Sequence, residues 1–206
     1  MKKILVITFI AIFSFSNAQK RNFLVAGFVG YSNQKKHQDY NNAETASSSF
    51  NFTPRIGYQL NEHWTHGFFA GVSKSKSEGG LYYNSQIKNY FYNDTENYNI
   101  GLFSRYTRKI SELFSVYGDF DAGLNFGNTY FDNNIDNIKS NGFSLGFTPA
   151  LFLNLKNGFG LNFNIGGINY SQKTETFEDS NIKKIISKSF DFNFGNNYAF
   201  GISKNF

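Results

Sequence analysis

Ser189-Phe190-Asp191-Phe192-Asn193-Phe194-Gly195-Asn196-Asn197-Tyr198-Ala199-Phe200-Gly201-Ile202-Ser203-Lys204-Asn205-Phe206 is the stretch that decides how this chain folds. Nearly every even position is aromatic or aliphatic, and the odd positions are Asp, Asn, Gly, Ala or Ser. Alternation with period 2 is the mark of a β-strand whose two faces meet different surroundings. A bulky apolar face opposite a small polar one suits a strand set between lipid and a polar lumen.

The same pattern recurs upstream. Phe23, Val25, Gly27, Val29 and Tyr31 oppose Leu24, Ala26, Phe28, Gly30 and Ser32, the least cleanly divided strand. Phe50, Phe52, Pro54, Ile56, Tyr58 and Leu60 oppose Asn51, Thr53, Arg55, Gly57 and Gln59. Trp64, Phe68, Ala70 and Val72 mark a third greasy face; Tyr98, Ile100, Leu102 and Tyr106 mark a fourth, opposite Asn99, Gly101, Phe103 and Arg105. A fifth sets Phe114, Val116, Phe120, Ala122, Leu124 and Phe126 against Ser115, Tyr117, Asp119, Asp121, Gly123 and Asn125. Phe143, Leu145, Phe147, Leu151 and Leu153 begin a sixth, and Phe159, Leu161, Phe163 and Ile165 a seventh, the latter against Gly160, Asn162, Asn164 and Gly166. Pro54 and Pro149 each remove a ladder donor, so a bulge or a gap is expected at both.

The connections alternate strictly in length. Asn61-Glu62-His63, Arg108 to Glu112 and Lys156-Asn157-Gly158 are short, while 34–47, 74–96, 128–141 and 172–187 read as long loops. Seven connections imply an all-β, eight-stranded, antiparallel up-and-down transmembrane barrel with both termini at the short-turn end. Within the longest connection, Leu81-Tyr82-Tyr83 and Asn89-Tyr90-Phe91-Tyr92-Asn93 fit two readings. One is a tyrosine-rich binding loop. The other is a hairpin that continues above the membrane, stiffened by aromatic cross-strand pairs.

A soluble barrel with the apolar face turned inward around a ligand is the rival. An eight-stranded barrel has room for little more than its own side chains. Rings of Phe114, Phe120, Phe126, Phe159, Phe163, Phe190, Phe192, Phe194 and Phe200 would overfill it, whereas Gly, Ser and Asn suit the crowded side. The strand cores also carry few charges, as expected where Lys or Arg facing lipid costs about 2–4 kcal/mol at the midplane. Tyr58, Trp64, Tyr106, Phe114, Phe159 and Phe206 lie near the short turns, where an aromatic belt would sit. His66 and Lys204 fall near that same rim, and Lys204 can snorkel to it.

Composition bounds the rest. The 206 residues suffice for one domain and contain no cysteine, which removes disulfides and thiolate metal sites. Met1-Lys2-Lys3, the apolar run Ile4 to Phe15 and the small residues Ser16-Asn17-Ala18 read as a secretory signal spanning 1–18, leaving 19–206 as the barrel domain. Losing Lys2 and Lys3 would take basic residues from 20 to 18 against 15 acidic, lowering net charge from +5 to +3. That excess is spread along the chain, so no nucleic-acid footprint is expected.

Taken together, the leader, the first strand Phe23 to Ser32, the Ile56-Gly57-Tyr58 approach to a short turn and the closing Phe206 resemble the small outer-membrane β-barrel (porin-like) proteins of Gram-negative bacteria. The resemblance spans 19–206 and is architectural. It implies a bacterial outer-membrane location with periplasmic termini, a lipid environment, a monomer, and assembly by the barrel-assembly machinery through a signal at Tyr198, Phe200, Ile202 and Phe206; Lys204 departs from an all-apolar face. It does not fix an activity.

Chemistry is sparse. Arg55, Arg105, Tyr117, Asp119, Asp121 and Asp191 fall on lumen faces and form a candidate network, read first as charges that pair to plug a narrow barrel. Closing the Arg108–Glu112 turn places Arg105 near Ser115, with Tyr117 and Asp119 further up. Glu62, His63 and Thr65 have no spacing that recommends a catalytic site, and a histidine pair at 63 and 66 would not face one metal reliably. No cofactor or metal is expected. The reading favoured is a non-enzymatic envelope protein, structural or surface-binding. The alternatives are a small-solute channel, a lipid-modifying enzyme and a secretion-complex accessory.

Overall fold

The structure, a computed structural model, describes residues 23–38, 43–83, 86–131, 137–155, 157–177 and 184–206. Eight strands follow one another: β1 (Phe23–Gln38), β2 (Ala43–Gln59), β3 (Trp64–Tyr83), β4 (Gln86–Lys109), β5 (Phe114–Phe131), β6 (Ile138–Asn154), β7 (Phe159–Phe177) and β8 (Ile185–Asn205). Each pairs antiparallel with the next, and β8 returns to β1 to close the barrel. The leader at 1–18 lies outside the described residues.

The two faces divide as the alternation requires. Outward side chains form an apolar band that includes Ile56, Phe68, Ile100, Leu102, Phe120, Leu124, Leu145 and Phe192, all exposed, Phe192 to 69%. An apolar surface this continuous around a closed barrel has no soluble counterpart. The band places the wall in hydrocarbon, and the molecule is a transmembrane β-barrel.

The short turns are built by specific bonds. Asn61 accepts from the backbone amides of His63 and Trp64, both at 2.9 Å, an Asx arrangement that offers the chain a turn in place of ladder bonds. Leu60 N donates to Trp64 O at 2.9 Å. The Ser111 hydroxyl accepts from Phe114 N at 3.0 Å. Asn157 and Gly158 adopt positive φ of 55° and 80°, the left-handed pair a tight hairpin needs. Phe206 N donates to Phe23 O at 2.8 Å, tying the two ends of the barrel together.

At the other end the strands run further than the sequence suggests. The β1–β2 ladder continues to Gln38↔Ala43 and β3–β4 to Tyr83↔Gln86, so most of the four long loops is hairpin. In the β3–β4 extension, Phe91 covers Gly79, and the Tyr92 and Tyr98 hydroxyls reach Asp94 and Glu96 on their own strand. Aromatic-on-glycine and aromatic-to-carboxylate contacts stiffen the part described; the side chains of Leu81, Tyr82, Tyr83, Asn89 and Tyr90, on which aromatic pairs were expected, lie outside the described residues. Among the described residues the closing seam is shorter than the others: the β1–β8 ladder runs from Leu24↔Asn205 to Val29↔Phe200, and beyond it β1 pairs with β2 alone.

Both prolines interrupt the sheet. Opposite Pro54 the β2–β3 ladder skips from Phe52↔Val72 to Arg55↔Phe69 without a change of register. Beside Pro149 the β6–β7 register shifts between Phe147 and Ala150. The extra residue sits in β7, where Gly166 takes φ +92° and a Cβ would lie 1.7 Å from Asn193 O. Gly166 is thus the pivot of a bulge and leaves the lumen face to Gly167.

The lumen is narrow because glycines pair across strands. Gly57 faces Gly67, and Gly101 faces Gly123. Each pair is covered by a phenylalanine ring, Phe103 over the first and Phe69 over the second, an aromatic filling the space two glycines leave. A Cβ at Gly67 would stand 2.1 Å from Ile56 O and 2.5 Å from Gly57 Cα, backbone that cannot swing aside. Gly67→Val is expected to cost about 1–3 kcal/mol by overpacking, read as a lower urea midpoint in vesicles. Gly146→Ala, where the nearest atom to a Cβ is 3.6 Å away, is expected to be neutral.

Candidate functional site

The charged residues of the lumen converge on one plug. Arg105 lies directly across from Asp119 in the β4–β5 ladder. This corrects the expectation that it neighbours Ser115, which stands opposite Lys109. The turn is centred further along, over Ile110 to Leu113, with Ile110 N donating to Phe114 O at 3.0 Å.

The pair is bidentate. Arg105 Nε donates to Asp119 Oδ1 at 2.7 Å and its terminal nitrogen to Oδ2 at 2.8 Å. From β2 Arg55 reaches across the barrel and donates to Asp119 Oδ2 at 3.0 Å and to both Asp121 oxygens at 2.8 Å. Two guanidinium groups and two carboxylates thus neutralise each other with the fork geometry that makes such bonds strong. Arg105 and Asp119 side chains are 5% and 3% exposed. The rings complete the enclosure. The Arg105 guanidinium lies 3.8 Å from the Tyr117 ring centroid, and Arg55 sits about equally far from Phe28, Phe69 and Phe103, at 5.5, 5.3 and 5.4 Å. A delocalised cation over an aromatic face gains attraction when water is excluded.

Around the plug, Leu24, Ala26, Phe69 and Phe103 pack as a buried apolar cluster; Ala26 and Phe69 flank Arg55 in the ladders, and Phe103 faces Asp121. Asn162 is fully buried beside them in the wall and donates to the Ser203 hydroxyl at 3.0 Å. The lumen is therefore closed by charge and hydrocarbon packed together.

Of the candidate network, Arg55, Arg105, Tyr117, Asp119 and Asp121 come together. Asp191 does not. It stands opposite Asn169, exposed, and accepts from Ser189 at 3.3 Å, because it lies in the hairpin half of β8, beyond the register shift at Asn164 and Gly166. Of the proposed assembly residues, Phe200 and Ile202 point outward and are 64% and 62% exposed; Phe206 ends β8 beside Phe23, and the Tyr198 side chain lies outside the described residues. Phe28 and Phe103 stand on the faces that the alternation gives to the lumen, but neither they nor Phe69 were read as part of the candidate network. The only available signal was the glycine opposite each of Phe69 and Phe103.

The belt residues meet at the short-turn rim. Trp64 packs against Tyr106 at 5.0 Å and stacks on His66 at 5.8 Å, and Phe23 packs edge-on to Tyr58 at 5.3 Å. The Lys204 ammonium lies 4.6 and 4.5 Å from the Phe159 and Phe206 rings. His63 bonds Thr107 O at 3.1 Å. Thr65 turns inward and is buried while Glu62 and His63 are exposed, so these three do not share a face. Among the described residues there is no cluster of His, Cys, Asp and Glu able to hold a metal.

Above the apolar band the β3–β4 hairpin carries a row of ion pairs, Lys74 with Glu96 and Lys76 with Asp94. Hydrogen bonds from Lys74 and Tyr98 hold the Glu96 carboxyl below its ordinary range, and Glu96 in turn raises Lys74. Lys74 is exposed and Glu96 half-buried on a water-facing hairpin, so the pair's worth to stability is small.

The geometry defines a class: a closed, plugged, eight-stranded membrane barrel with extended hairpins at one end. No family model and no curated protein sequence matches the chain. Among solved structures it is similar to the translocator domain of the autotransporter NalP from Neisseria meningitidis, at 12% identity over 92% of this chain and 65% of that one, with a TM-score of 0.45. It is also similar to Neisserial surface protein A, at 12% identity over 92% and 100% and a TM-score of 0.44. A major outer membrane protein from Thermus thermophilus aligns at 15% identity over 91% and 100%, with a TM-score of 0.48. The chain spans about two thirds of the length of the first of these. These likenesses are of architecture and assign no activity.

Proposed function

We propose that this chain is a non-enzymatic, non-conducting barrel of the bacterial outer membrane that carries its extended hairpins to the cell surface, as a structural or binding element. The observation that carries this reading is the plug. Arg55 spans the lumen to Asp119 and Asp121, and the apolar cluster of Leu24, Ala26, Phe69 and Phe103 packs around it. Solute would have to break buried, mutually satisfied ion pairs to pass. The length asymmetry supports periplasmic short turns and termini, with hairpins outside. In the same proposal, 1–18 is removed as a leader, Tyr198, Phe200, Ile202 and Phe206 engage the assembly machinery, and the barrel stands as a monomer in lipid.

Planar-bilayer recording tests it. The barrel is expected to insert without stable openings. Sustained nanosiemens steps from protein shown to be folded by its heat-shifted gel mobility would overturn the plugged reading in favour of a small-solute channel.

A further inference from the structure

Around the closing seam the outward side chains leave a trough in the apolar wall, with a volume of about 560 Å³. Its floor is Gly27. The outward run on β1 is Val25, Gly27 and Val29, and Gly27 stands between Pro54 on β2 and Ile202 on β8. A glycine between two bulkier neighbours leaves a notch. Phe52 and Phe200 flank Val29 in the ladders and wall the upper end. The lower end reaches Lys204, opposite Val25 and Phe159. From Val29 to Val25 is about 13 Å along the strand, so the trough runs lengthwise from within the apolar band to the short-turn rim.

In hydrocarbon such a trough is filled by an acyl chain, because a void forfeits dispersion contacts. Apolar packing alone selects no particular lipid, since one acyl chain is as apolar as the next. The hollow over Ile100, Leu102 and Leu124, whose lining holds no charged residue, is of that unselective kind. The seam trough differs by one formal charge at its mouth. The Lys204 ammonium lies against the Phe159 and Phe206 rings, 4.6 and 4.5 Å from their centroids. Two aromatic faces attract a cation that would otherwise snorkel freely, so the charge stays in line with the trough at the rim. A chain lying over Gly27 brings its own headgroup to that place. A phosphate there meets the ammonium, whereas the second charge of a zwitterionic headgroup opposes it. We infer that the seam trough is a binding site for one phospholipid of net negative headgroup, with an acyl chain over Gly27 and the phosphate at Lys204. The inference rests on the wall's contact with hydrocarbon and holds whichever leaflet the short-turn rim meets.

The test is native mass spectrometry of the full chain, folded in detergent micelles and titrated with dioleoylphosphatidylglycerol or with dioleoylphosphatidylcholine. Phosphatidylglycerol is expected to add once, saturably, and about fivefold more tightly than phosphatidylcholine, the effect of one lysine beside an anionic headgroup. Lys204→Gln is expected to erase that preference and leave phosphatidylcholine binding unchanged. Gly27→Leu sets a branched side chain across the trough and is expected to remove the saturable step for both lipids. Its Cβ meets nothing closer than the Phe52 ring at 3.5 Å, so the barrel accommodates it, and heat-shifted gel mobility establishes that each variant is folded. Equal affinity for the two lipids, a preference that survives Lys204→Gln, or undiminished binding in folded Gly27→Leu would each overturn the inference and leave the trough to whichever acyl chain is nearest. Any of these in protein that still needs detergent to stay dispersed counts against this site alone. Protein that stays monodisperse in plain buffer counts against the hydrocarbon-facing wall on which the site rests.

Discussion

Asp119→Ala is expected to destabilise the barrel by about 3–5 kcal/mol, the cost of stranding a buried charge. Both side-chain bonds that Arg105 makes to carboxylate end on Asp119, and Arg105 is 4% exposed, so its guanidinium would be left beside Tyr117 with no counter-ion in contact. Asp121→Ala should cost less. Asp121 is part-exposed at 20%, and its partner Arg55 would keep its bond to Asp119. The order Asp119 above Asp121 follows from geometry, since charge count treats the two alike. The double change Arg105→Met with Asp119→Leu should recover most of the loss, because a buried ion pair replaced by apolar groups of similar size is often neutral or better. Arg55 would still hold Asp121 through two bonds. Urea unfolding in vesicles reads all three, with the single tryptophan, Trp64, as the fluorescent probe. A cost for Asp119→Ala no larger than an ordinary surface change, about 0.5 kcal/mol, would show that the plug does not hold the lumen together.

The outer face was legible in the sequence because hydrocarbon is a uniform surrounding. Every outward position meets the same demand, so Phe50 to Tyr58 or Phe114 to Phe126 shows it by alternation alone. The inner face has no such uniformity. Phe69 and Phe103 point inward among polar residues because Gly101 and Gly67 stand directly opposite them and leave room, a fact about register that one strand cannot reveal. Register was also where the plug was misplaced. The alternation puts Arg105 and Asp119 on the lumen side, but only the turn over Ile110 to Leu113 sets them across from each other. Above the band the failure runs the other way. Lys74, Lys76, Asp94 and Glu96 read as loop because charge was the marker of leaving the membrane. There both faces of a hairpin meet water, so the alternation fades while backbone pairing continues from Lys74↔Glu96 to Ser77↔Asn93 and beyond. The bulge at Gly166 adds one residue to β7 against β6, which is why a face assigned by strict parity goes wrong past Ile165; the β7–β8 register moves further at the same place, with the extra residues in β8, and Asp191 lies beyond that shift, apart from the plug.

Leu102→Arg carries the test of the hydrocarbon-facing wall. On β4 the outward row is Tyr98, Ile100, Leu102, Ser104 and Tyr106, so Leu102 sits at its middle, 56% exposed and between Phe68 and Ala122 in the ladders. Its side chain touches little protein. In water an arginine there would be harmless, since exposed substitutions usually stay within about 0.5 kcal/mol. In a bilayer the guanidinium must be dragged into hydrocarbon or thin the membrane around it, and the expected cost is about 2–4 kcal/mol. Tyr98→Arg, at the upper edge of the same row and beside Glu96, should cost about 0–1 kcal/mol because the head group is within reach. The discriminating quantity is the difference between the two, measured by urea unfolding in lipid vesicles. It reports mainly depth, since both positions share a strand, a face and similar exposure, and the Tyr98 hydroxyl's bond to Glu96 is a small exposed term beside it. A steep gradient from Tyr98 to Leu102 is expected in vesicles. Equal, small costs at both sites would mean that this face does not meet the bilayer interior, and the barrel would then have to bury its apolar band against protein.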